Sequence, residues 1–103
     1  MQALLVHPKN IPHALIAALA RELAAVKAVR GAWLMMALQP AVGQSWMLGV
    51  EHDGAWPDVL AAIGRAVAGG VLDGWLLDAM PLDNSSFAST LRSGIPVIAA
   101  QGG

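Results

Sequence analysis

Short apolar runs along the chain alternate with two longer stretches in which aliphatic residues recur at helical spacing. The run ALLVH, ending at His7 and closed off by Pro8 and Asn10, has the length and composition of a strand. From Asn10 to Lys27, the residues Leu15, Leu19, Leu23 and Val26 share one helical face, with Asn10 placed to cap the helix and Pro12 in its first turn. Alanines between them favour helix and permit close packing on a sheet. RGAWLMMALQ and SWMLGVEHD, on either side of the turn around Pro40 and Gly43, read as an antiparallel pair of strands joined by a loop. WPDVLAAIGRAVAGG predicts a second helix, opened by Pro57 and Asp58, striped by Leu60, Ile63 and Val67, and closed by Gly69 and Gly70. LDGWLLDA reads as a fourth strand, NSSFASTLRSG as a short helix ending at Gly94, and PVIAA as a short final strand. The order β-α-β-β-α-β, with that helix and strand appended, predicts one α+β domain over residues 1–103. Its expected form is a ferredoxin-like split βαβ sandwich with two helices on one face.

Composition narrows the partners. The formal charge is -1 and only 13% of the residues are charged, so the clustered basic surface of a nucleic-acid binder is not expected. Without cysteine there is no disulfide and no thiolate chemistry, which suits a cytoplasmic protein. The first residues, MQALLVHPKN, lack the basic start and long apolar core of a signal peptide, which gives the same expectation. Gly31 to Val50 is uncharged and nearly long enough to span a bilayer, but QPAVGQS at its centre makes a turn, so no membrane segment is expected.

Groups that carry chemistry are sparse. Ser85, Ser86, Ser89 and Thr90 form the most hydroxyl-rich stretch, yet no G-x-S-x-G turn accompanies them. Asp83, Asn84 and Ser85 stand where a helix begins, and side-chain oxygens there accept bonds from unpaired backbone N–H groups. His7, His13 and His52 lack the close-spaced pairs of a zinc site. Asp73, Asp78 and Asp83 read as solvated strand and loop ends. Gly64, Gly69 and Gly70 fall within and after a helix, not between a strand and a helix as a nucleotide loop requires. No catalytic residue, cofactor or metal is therefore assigned.

The AWL strand, its partner MLGVEHD, an early helix opened by proline, and the tail VLDGWLLDAMPLDNSSFASTLRSGIPV together resemble the C-terminal domain of the enhanced-serine-sensitivity protein (SseB) family. The resemblance covers nearly the whole chain. It rests on hydrophobic patterns, and in this sequence Pro96 is followed by Val97 and Ile98 where the family's tail runs into aromatic residues. The resemblance implies a fold rather than a reaction, and it brings no catalytic residues to map.

Four tryptophans in so short a chain call for an explanation. Strand alternation separates Ala32, Leu34, Met36 and Leu38 from Trp33, Met35 and Ala37, so both faces of the second strand are apolar. Trp46, Leu48 and Val50 oppose Met47 and Glu51, and Leu72 and Leu76 oppose Trp75 and Leu77. If helices cover the face with Leu34, Leu48 and Leu76, the other face presents Trp33, Met35, Met47, Trp75 and Leu77. An apolar patch of that kind marks an interface. The leading expectation is a non-enzymatic assembly domain, a homodimer packed sheet to sheet or docked on a protein partner. Two other accounts are coverage by the appended helix or the PVIAA segment, and a small-ligand pocket lined by tryptophan. ACT-like domains that sense amino acids share the element order, which gives the alternative function. Base stacking on Trp33 and Trp75 would need a basic surround that the sequence lacks.

Overall fold

The computed structural model describes residues 4–39, 43–72, 74–83 and 86–98. Its elements are β1 (Leu4–Val6), α1 (His13–Ala24), β2 (Val29–Gln39), β3 (Gly43–His52), α2 (Trp56–Val67), β4 (Leu77–Pro81), α3 (Ser86–Leu91) and β5 (Ile95–Ile98). The architecture is α+β, and the elements follow in the order the hydrophobic pattern predicts. The sheet does not. A split βαβ unit places a third strand between the two that flank its helix, whereas here β1 lies directly beside β2 and antiparallel to it, Leu4 opposite Leu38 and Val6 opposite Met36. The strand order is β1-β2-β3-β4, with β5 also on β2, so the ferredoxin-like order is corrected. The physical reason lies in the helices: α1 joins antiparallel neighbours, while α2 makes the crossover that parallel neighbours require, from β3 to β4.

One edge of β2 is hydrogen-bonded to β3 along nearly its whole length. The other edge is divided. β1 takes residues 36–38 and β5 takes 32–34, both antiparallel to β2, so the two short strands run in line.

Helix α1 starts at His13, with Pro12 as its cap residue and no side-chain cap, so Asn10 does not take the capping role expected of it. Proline suits the helix start because its missing N–H leaves no unpaired donor. Its carbonyl accepts the first bond, from the Ile16 N–H at 3.0 Å. The expected stripe of Leu15, Leu19 and Leu23 is buried to within 1% exposure, each leucine contributing about 1.5–3 kcal/mol of transfer free energy. On α2 the buried stripe is Val59, Ala62, Ile63 and Ala66, and Leu60, expected inward, is 45% exposed. Both helices pack on the face carrying Ala32, Leu34, Leu48 and Val50. Glu22 on α1 accepts a hydrogen bond from Arg65 on α2 at 3.0 Å, and that guanidinium, helped by Arg21, holds the Glu22 carboxyl below its ordinary range.

The opposite face is covered in part by α3. Ala88 and Leu91 on that helix are fully buried, as are Met35 and Ala37 beneath, to within 2% exposure. Two glycines allow the close approach. A Cβ on Gly49 would stand 2.7 Å from a Leu82 methyl and 3.1 Å from one of Leu91. On Gly94, between α3 and β5, it would stand 2.5 Å from Met35 Cγ, 2.7 Å from the Leu34 carbonyl oxygen and 3.0 Å from that of Leu91. Arg92 fastens the end of α3, donating to the Asp83 carbonyl at 2.9 Å and to Glu51 on β3 at 3.4 Å. The expected caps Asn84 and Ser85, and the residues 99–100 that end PVIAA, lie outside the described residues.

Gly94→Ala is expected to destabilise the fold by about 1–3 kcal/mol, the range for overpacking, because two of the three close atoms are backbone carbonyls that cannot swing aside. Gly49→Ala meets only leucine side chains and is expected to cost less. Urea denaturation midpoints of the two variants check the ranking, and a Gly49→Ala loss equal to or above that of Gly94→Ala would contradict it.

Candidate functional site

Alternation along β3 points Trp46 toward the helices, beside Met36 on β2 and Leu77 on β4. Trp75 lies before β4 rather than in it. Gly74, at φ +86°, takes a left-handed conformation that suits glycine, and the Trp75 N–H closes a turn on the Leu72 carbonyl at 2.9 Å. The chain then enters the sheet as the Trp46 N–H donates to the Leu76 carbonyl at 2.8 Å. This geometry stacks the two indoles, with ring centroids 4.9 Å apart and planes inclined by 24°. Such pairs contribute about 0.5–1.5 kcal/mol beyond their buried area. Trp46 is 7% exposed, and Trp75 is half-buried.

Beside this stack is a cavity of about 420 Å³, within the range of about 300–1,000 Å³ usual for small-ligand sites. One wall is the connection from β1 to α1, Pro8 through Pro12, whose two prolines limit its conformations. Met36, Trp46 and Trp75 form the apolar side, and Lys9, Asn10 and Gln44 supply polar groups. Two hydrophobic layers therefore leave a recess where β1 ends and the chain crosses toward α1.

The five residues expected to share one face are divided between two. Trp33, Met35 and Met47 lie together on the face covered in part by α3, with Met35 directly opposite Met47. Trp33 is 8% and Met35 2% exposed. Trp75 and Leu77 lie on the other face, packed against the core beneath α1 and α2. The alternation itself holds, Trp75 and Leu77 opposing Leu76; the register of β4 on β3, with Leu77 opposite Trp46, turns the Leu77 set toward the helices where the hydrophobic pattern expects the Leu76 set. Leu76, expected inward, is 60% exposed. The burial of Trp33 also removes it as a platform for stacking bases.

His7 and His13 are exposed, and His52 packs on Trp56 with ring centroids 5.0 Å apart. Asp78 and Asp83 are exposed at separate positions, and Asp73 lies outside the described residues. Ser89 and Thr90 are exposed on α3. No helix among the described residues is long and apolar enough to cross a membrane.

The family model described as the SseB protein C-terminal domain matches residues 1–95. The chain belongs to that family. No curated protein and no solved structure compared with it gives a match. The recess is thus a feature of an SseB C-terminal domain, and Pro8 through Pro12 is the part of it that the hydrophobic pattern does not reveal. The signal the sequence offers is the two prolines around Lys9 and Asn10, which also mark the end of a strand and the start of a helix.

Trp75→Ala and Trp46→Ala separate the two roles within the stack. Trp46→Ala is expected to destabilise by about 3–5 kcal/mol, as for a buried aromatic, and Trp75→Ala by clearly less because Trp75 is only half-buried. Either change is expected to abolish the exciton couplet of the stacked indoles in the circular dichroism spectrum. A couplet that survives both changes would mean the stack is not its source.

Proposed function

We propose that this SseB C-terminal domain is a non-enzymatic binding module, and that a small molecule is its ligand. The supporting observation is the stacked Trp46–Trp75 pair on the wall of a recess that also carries three polar side chains. A mostly apolar hollow with a few polar groups is the usual form of a small-ligand site. The reading belongs with the sensing alternative rather than with sheet-to-sheet assembly, since Trp33 and Met35 are already buried within one copy. A panel of amino acids and aromatic acids at millimolar concentration tests it, with thermal midpoint and the indole N–H signals in nuclear magnetic resonance spectra as readouts. A ligand at ten times its Kd is expected to add about 1.4 kcal/mol, raising the midpoint by several degrees, and to shift the Trp46 and Trp75 signals more than that of Trp33. No response to any member would count heavily against the proposal.

A second reading, self-association, draws on the sheet edge instead of its face. Leu76 is 60% exposed where the chain enters β4, and β4 is the last strand in its direction among the described strands. An open edge of this kind can pair with the same edge of a second copy. Light scattering across a dilution series is expected to give a dimer for the parent and a monomer for Leu76→Glu. A parent that is monomeric throughout would remove this reading and leave the ligand proposal standing.

A further inference from the structure

Resting on the reading of the recess as a ligand site, we infer that it selects an apolar, ring-bearing molecule with a single carboxylate and no ammonium group. Charge around the recess gives the first argument. The four arginines are each paired with a carboxylate: Arg21 and Arg65 with Glu22, Arg30 with Asp53, and Arg92 with Glu51. Lys9, on the recess wall, has no ion pair among the described residues. Lys27, the other lysine, follows the opposite end of α1, which is about 18 Å long at 1.5 Å per residue. Of the two lysines outside these ion pairs, Lys9 therefore places its charge at the recess.

Helix α1 adds to it. Pro12 both lines the recess and precedes the helix, so the positive end of the helix dipole lies at the wall, with no side chain capping it. The remaining polar lining groups, Asn10 and Gln44, are neutral amides, and no acidic residue among the described residues lines the recess. An α-amino acid would place its ammonium beside Lys9 without a carboxylate to receive it. A monocarboxylate has no such penalty. The tryptophan stack and Met36 supply the surface for its ring, by offset stacking or edge contact. This ligand class departs from amino-acid sensing: the apolar body is shared, and the ammonium group is what the lining excludes.

Three probes that differ by one group test the inference: 3-phenylpropionate, its neutral amide 3-phenylpropanamide, and phenylalanine, which is 3-phenylpropionate with an added ammonium. Each is titrated into the whole chain and followed by the indole N–H signals of Trp46 and Trp75. 3-Phenylpropionate is expected to bind up to about fivefold tighter than either of the others, the most that a solvent-accessible ion pair usually supplies. Lys9→Met is expected to narrow the preference for the carboxylate over the amide, the remainder being what the helix dipole supplies. Equal binding of carboxylate and amide by the parent, or tighter binding of phenylalanine, would overturn the ligand class and leave the site in place. No movement of either tryptophan signal with any probe would remove the site and the inference together. Lys9 is exposed, so Lys9→Met leaves the core intact, and an unperturbed Trp33 signal checks that the variant is folded.

Discussion

A strand that is apolar on both faces cannot have solvent on either, and β2 imposes that constraint on the rest of the domain. From Gly31 to Ala37 every residue but Met36 is buried. Two helices resting on one face would satisfy half of the requirement, and the other half is met by the chain that follows β4. That chain brings Leu82 and Leu91 over Gly49 and passes close to Met35 at Gly94, so the second layer is thin and depends on the absence of side chains at two positions. The hydrophobic effect fixes the need for a cover, and steric fit fixes how near it comes.

The division of β2's edge follows from the brevity of β1. Three residues of β1 pair with the far end of β2, after which the chain leaves the sheet to form α1. The vacated edge is filled by β5. Where β1 departs, the connection through Pro8 and Pro12 stands away from the sheet, and the recess beside Trp46 is the space so created. The candidate site is thus a by-product of how the first strand ends, built from segments distant in sequence and brought together by the sheet.

Much of this fold was legible in the chain. The partition of β2 and β3 into faces holds, with Leu34, Leu48 and Val50 inward as alternation requires. The stripe of Leu15, Leu19 and Leu23 marks the buried side of α1. Elements whose pattern is set by local periodicity could be read in that way. The side of β4 that turns inward could not, because Leu76 and Leu77 are equally apolar and only the register on β3, with Leu77 opposite Trp46, decides between them. Strand order also escaped, since β-α-β-β-α-β describes a succession of elements and pairing is decided by contacts between distant residues. For the site, the abundance of tryptophan is a sound signal and pocket lining is one of its meanings, while the side that Trp75 and Leu77 take depends on that same register.

The position of β5 bears on the order in which the molecule can be completed as it is made. Residues 32–34 of β2 find their outer partner only in residues 95–98. While the chain is being synthesised, β1, α1, the β2–β3 pair and α2 can all associate, yet part of the central strand keeps an open edge until nearly everything described here has emerged. Contacts of such long sequence separation form late, and an unpaired apolar edge invites pairing with other chains in the interval. The last strand therefore determines when the nascent domain becomes safe from aggregation.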